Sequence, residues 1–93
     1  MIKTFADKTT EKLFETGKSK ALPPAIIERA IRRLTQLDNA AAEEDMRMPP
    51  SNHLETLSGG RDGQWSVKIN DQWRLCFRFS NGDAYHVEIV DYH

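Results

Sequence analysis

At Leu54 the apolar residues of this chain change their period from helical to alternating, and a Pro49-Pro50-Ser51-Asn52 break stands just ahead of the change. From there Leu54 to Leu57, Gln64 to Asn70, Trp73 to Phe79 and Tyr85 to Val90 read as strands. Gly59-Gly60-Arg61-Asp62-Gly63, Asp71-Gln72 and Ser80-Asn81-Gly82 supply the turns between them. Connections this short predict antiparallel neighbours, so the second half of the chain is expected to form one meandering sheet.

Ahead of the break the pattern is helical. Ile2 to Phe5 alternates and can form a short first strand, after which Asp7 can cap a helix that ends near Gly17, burying Leu13 and Phe14. A second helix starts near Pro24, where a missing N–H costs little. Its Ile27, Ala30, Ile31, Leu34 and Leu37 follow helical spacing, leaving Glu28, Arg29, Arg32, Arg33 and Gln36 on the other side. Asn39 to Met48 can add one helical turn. The expected fold class is α+β: two N-terminal helices packed on a small antiparallel β-sheet, with a short N-terminal strand.

Side-chain parity sharpens the sheet. Trp73, Leu75, Phe77 and Phe79 share one face and should meet Tyr85, Val87 and Ile89 rather than Ala84, His86 and Glu88. A three-residue Ser80-Asn81-Gly82 loop gives that register, whereas a two-residue Asn81-Gly82 turn does not. The register puts Arg74 opposite Glu88 and brings the end of the last strand beside the start of the one before. Lys68 and Asn70 can approach the same end, while Arg61 falls toward the other.

The 93 residues, 39% hydrophobic and 29% charged, suit one folded domain spanning residues 1–93. Cys76 is the sole cysteine, which rules out an internal disulfide and favours a reducing compartment. Without an apolar leader or a run of about 20 apolar residues, the expectation is a cytoplasmic chain with no membrane partner. A formal net charge of -1 gives no overall attraction to nucleic acid, so any RNA site must be a local patch.

The tail Asp91-Tyr92-His93 is the strongest chemical feature. An imidazole, with an unperturbed pKa of about 6.5, can accept and return a proton near neutral pH. Beside it, the guanidinium of Arg74 could hold a phosphate through two donors. From the residues alone the bland reading stays open, with the tail fraying and Arg74 a cross-strand partner of Glu88. His53 and His86 have no evident companion ligand, so no metal or other cofactor is expected. The glycines at 59, 60 and 63 lack the Lys-Ser/Thr of a phosphate loop and read as a turn. Arg29, Arg32 and Arg33 form either a second basic patch or the wet face of a helix. Trp65 and Trp73 each begin an inward-facing alternation and read as core.

Pro49 to Glu55, then Leu57, Gly59, Arg61, Gly63, Ile69 to Phe77, Gly82 and Val87 to His93 together resemble the HigB toxins of the RelE superfamily. More loosely, the likeness extends to Met1 to Phe5 and both helices, and so to the whole chain. It implies the toxin of a type II toxin-antitoxin system, a metal-independent endoribonuclease that cuts messenger RNA on the ribosome. It also implies a HigA-like helix-turn-helix antitoxin, with operator DNA reached only through that partner. By the resemblance His93 is the leading acid/base and Arg74 the phosphate clamp. Asp91 and Tyr92 assist in the tail, and Lys68, Arg61 and Asn70 bind RNA. Where family members carry Lys followed by Gly-Asp-Arg, this chain has Ser58-Gly59-Gly60-Arg61, and Glu55 stands where some have His. Those departures imply a weak toxin, or alternatively a non-catalytic module that pairs with its antitoxin and modulates operator binding.

Overall fold

The computed structural model describes residues 1–92. Helix α1 (Lys8–Thr16) starts where the Asp7 carboxylate accepts the Thr10 N–H at 2.7 Å. It stops at Gly17, whose φ of 74° turns the chain left-handed and lets its N–H reach the Leu13 carbonyl. Helix α2 (Pro24–Asn39) has proline at its first position and buries Ile26, Ala30, Leu34 and Leu37, each at most 2% exposed. Such a stripe stabilises by about 1.5–3 kcal/mol per large side chain covered. Three residues differ from the periodicity reading. Ile26 takes the deep site while Ile27 packs at the margin, and Arg33 is buried rather than on the wet face.

The strands β1 (Glu55–Thr56), β2 (Trp65–Lys68), β3 (Trp73–Ser80) and β4 (Asp83–Asp91) form one antiparallel sheet in sequence order. Beyond β4, Ile2 and Phe5 make parallel bridges to Ala84 and Val87, so the N-terminal segment extends the sheet by one short row. The helices cover the face that carries Val67, Leu75, Phe77, Ala84, Val87 and Ile89.

The expected three-residue loop is absent. Ser80 pairs with Asp83 across a two-residue Asn81-Gly82 turn in which both residues have positive φ, 51° and 84°. The extra residue that parity requires lies within β4 instead. Cys76 pairs with Glu88 but Arg78 pairs with Tyr85, so His86 and Val87 together oppose Phe77. His86 carries the bulge at φ 53°, and its N–H is taken by Thr4 Oγ1 at 2.8 Å. Ala84 therefore points into the core where Tyr85 was expected, and Arg74 faces Val90 rather than Glu88.

The connection between the halves is pinned by two amides. Gln36 on α2 donates to the carbonyls of Asp45 and Met48, at 3.1 and 2.6 Å. Fully buried Asn52 donates to Gln36 Oε1 and to the carbonyls of Met46 and Met48. The next residue, His53, is exposed, and this pinning fixes its position in the chain. Asn52→Ala should cost about 1–3 kcal/mol, because it strips a donor from buried acceptors. A lower urea midpoint at unchanged slope is the expected reading; an unmoved midpoint would mean that other contacts hold this segment.

Candidate functional site

The face of the sheet away from the helices is polar, and its residues line up in rows. Glu55, Ser66, Cys76 and Glu88 pair in turn across β1 to β4, and Lys68, Arg74 and Val90 form the next row toward the sheet end. Arg74 is the centre of this arrangement. Only 8% exposed, it is engaged on one side: Nε donates to Ser66 Oγ at 2.9 Å and Nη2 to the His53 carbonyl at 2.7 Å. Its Nη1 lies 3.5 Å from Glu55 Oε1, and its guanidinium carbon 5.4 Å from the centre of the Tyr92 ring. Arg74 is thus gripped from behind by neutral oxygens.

The tail meets it as the strand order required. Trp73 pairs with Asp91, the Tyr92 N–H reaches the Gln72 carbonyl at 2.6 Å, and Gln72 Nε2 donates to Asp91 Oδ2. Tyr92 is half exposed. His93 lies outside the described residues. Lys68 Nζ pairs with Asp71 at 2.8 Å, and that hydrogen bond holds the Asp71 carboxyl below its usual pKa. Asn70 uses Oδ1 to accept the N–H groups of Gln72 and Trp73, which shapes the turn. His53, Glu55, Lys68, Asn70, Asp71, Arg74 and Tyr92 border one open hollow of about 240 Å³.

Arg61 is not at the far end of the sheet as the register suggested. The Gly59–Arg61 turn folds back over the polar face, and Arg61 Nη1 reaches Glu88 Oε1 at 2.7 Å and Gln64 Oε1 at 3.0 Å. The hydrogen-bonded Glu88 raises the Arg61 pKa, and the guanidinium borders a second hollow with Val90, Asp91 and Tyr92. Cys76, beneath this pair, has its thiol pKa pushed up by burial. Sequence reasoning missed Ser66, the His53 carbonyl and Glu55 as the holders of Arg74. Ser66 was legible in principle, since it alternates with Lys68 on the outward side of β2.

The model of a family described as the RelE-like toxin of type II toxin-antitoxin system HigB matches residues 3–93. The chain belongs to this HigB-like family. Endoribonuclease HigB of Proteus vulgaris is 37% identical over 93 residues, the full length of both chains. Toxin HigB-1 of Vibrio cholerae is 43% identical over 81 residues, covering 86% of this chain and 85% of that one. The fold recurs in YafQ from E. coli, at TM-score 0.65 and 12% identity over 98% of this chain and 91% of that. It recurs again in the YoeB-YefM complex from Staphylococcus aureus, at TM-score 0.59 and 13% identity, over 100% of this chain and 98% of that. A HigB-like toxin of a type II system implies a cognate antitoxin. Among the described residues, no helix is long and apolar enough to cross a membrane.

Proposed function

We propose that this HigB-like toxin is an endoribonuclease that cuts messenger RNA presented by the ribosome, with the reaction at the hollow between Arg74 and the tail. The observation that carries the reading is the Arg74 guanidinium, held from behind by Ser66 and His53 and open toward Tyr92 and Lys68. Catalysis of phosphoryl transfer by a protein without covalent chemistry rests on such preorganised cations.

The reaction runs as internal transesterification. A base, His93, takes the proton of an RNA 2′-hydroxyl, and that oxygen bonds to the adjacent phosphorus. The bond from phosphorus to the 5′ oxygen breaks, and an acid protonates the departing oxygen. The products are a 2′,3′-cyclic phosphate and a 5′-hydroxyl. Arg74 meets the non-bridging oxygens through Nη1 as their charge builds, Asp91 and Tyr92 orient the tail, and Lys68, Asn70 and Arg61 hold the strand. An entering phosphate displaces Glu55 from Arg74 and Asp71 from Lys68. Both carboxylates are well exposed, 56% and 98%, so these pairs cost little to part.

The partner in this reading is a HigA-like helix-turn-helix antitoxin, and the setting is the cytoplasm. A second reading, a non-catalytic module that pairs with the antitoxin, is favoured by uncharged Ser58 and Gly60 beside Arg61 and by the carboxylates already facing Lys68 and Arg74.

Mapping messenger-RNA ends on programmed ribosomes separates the two. Wild-type protein should produce new cuts, and His93→Ala should not. A folded wild-type protein that binds its antitoxin yet makes no cuts would establish the module instead. A loss from Glu55→Ala equal to or greater than that from His93→Ala would argue against His93 as the proton carrier.

A further inference from the structure

On α2, Arg29, Arg32 and Arg33 follow i, i+3, i+4 spacing, and the fold carries them to the rim of the candidate site. Arg29 Nη1 donates to the Ile69 carbonyl at 3.1 Å and Arg33 Nε to the Lys68 carbonyl at 3.0 Å, clipping the helix onto the segment that bears Lys68 and Asn70. Each clip uses one of a guanidinium's five N–H donors. Between helix and segment runs a groove of about 410 Å³, a volume in the range of ligand-binding clefts. It shares His53, Lys68, Asn70 and Asp71 with the hollow below Arg74, so the two are continuous.

The charge here is not what the whole chain carries. The net charge is -1, yet this groove sets Arg29, Arg32, Arg33 and Lys68 against a single lining carboxylate, Asp71. Glu28 pairs with Arg32 and borders an adjoining hollow with Arg29, Ile69 and Asn70. Arg29 has no carboxylate partner among the described residues, and both it and Arg32 are exposed. Arg33 has its pKa lowered, first by burial and then by the charges of Arg29 and Arg32, which marks a concentration of like charge that Glu28 and Asp71 offset only in part. A purely structural role would need the two backbone clips and nothing of exposed Arg32.

We infer that the α2 groove is a second RNA site, in which Arg29, Arg32 and Lys68 hold the phosphates of a single strand running on from the hollow at Arg74. Resting on the endoribonuclease reading above, it extends the substrate contact from one phosphate to several. Recognition here is of the backbone, since guanidinium and ammonium groups meet phosphate oxygens and carry no base code. A continuous groove beside a reactive phosphate keeps the strand in register while the 2′-hydroxyl is turned in line.

The test uses the full chain and a fluorescent single-stranded 2′-O-methyl RNA, which cannot be cut, so binding is read whether or not the protein cleaves. Anisotropy titrations between 50 and 200 mM salt compare wild type with the double variant Arg29→Gln/Arg32→Gln and with Arg32→Gln alone. The double variant should bind about tenfold more weakly at low salt, with a log-log salt slope shallower by about 1.4, two phosphates' worth for a single strand. Arg32→Gln alone should shift the slope by about 0.7 without touching either backbone clip. Glu28→Gln, which frees Arg32, should bind more tightly, a gain that misfolding cannot mimic. Oligomers of different base composition should bind alike. Equal affinity and slope in all four proteins, no salt-dependent binding by wild type, or tighter binding of duplex RNA would overturn the proposal. If these shifts appear while ribosomes programmed with message stay uncut, the groove stands and the endoribonuclease reading falls.

Discussion

Replacing Arg74 with alanine should lower the rate of RNA cleavage by at least about 100-fold, the loss seen when one preorganised electrostatic contact to a developing charge is removed. The size of the effect follows from how this side chain is held. Its Nε and Nη2 are committed to Ser66 Oγ and to the His53 carbonyl, so the guanidinium is aimed before any substrate arrives. Arg74→Lys should recover little of the activity, because one ammonium cannot donate to the Ser66 hydroxyl and the His53 carbonyl and still present what Nη1 does, two further N–H groups, to a phosphate. The same substitutions cost stability. Arg74→Ala leaves the buried Ser66 hydroxyl and a carbonyl without their donor, for about 1–3 kcal/mol, which in a domain of this size lowers Tm by about 4–8 °C per kcal/mol. Rates are therefore compared at a temperature well below both transitions. Cleavage by folded Arg74→Ala within threefold of wild type would remove Arg74 from the reaction and leave it a clamp for the His53 segment.

Much of this geometry could be read from the residue order, and the misses have identifiable causes. Asp7, Gly17 and Pro24 act locally, through one hydrogen bond, one left-handed turn and one missing N–H, so their roles were legible. The meeting of Arg74 with the tail was legible too, since adjacent antiparallel strands must bring the start of one beside the end of the next. Parity, however, has two solutions. One extra residue restores the apolar face equally well in the loop or inside the strand, and the chain uses the strand, with His86 in the bulge and Thr4 Oγ1 accepting its N–H. Asn81-Gly82 is the local signal for a two-residue turn, but nothing local marks His86 as the bulge, because the atom that stabilises it comes from 82 residues away. That choice moves Glu88 from Arg74 to Cys76, where Arg61 reaches it over the polar face. The burial of Arg33 escaped the periodicity for a related reason. A helical stripe separates apolar from charged residues, but an arginine at its margin can be buried when a backbone carbonyl, here that of Lys68, stands opposite.

The other large effect lies on the opposite face of the same strand. Phe77 is the largest fully buried side chain among the described residues, pairs with Trp65 on β2 and faces the bulge at His86 and Val87. Phe77→Ala should cost about 3–5 kcal/mol, the lost transfer of the ring plus the cavity left behind, because the bulged strand is already held at both edges and cannot collapse onto it. Set against a typical domain stability of about 5–15 kcal/mol, this brings the chain close to unfolding at 37 °C. Phe77→Leu, which keeps most of the volume, should lose much less. Because Phe77 points toward the helices and Arg74 away from them, the folded fraction of Phe77→Ala at low temperature should still cut at the wild-type rate. Calorimetry and cleavage on programmed ribosomes, run on one preparation, read both quantities. A fall in rate that exceeds the fall in folded fraction would mean that the packing of β3 against the helices sets the aim of Arg74, three residues along the same strand.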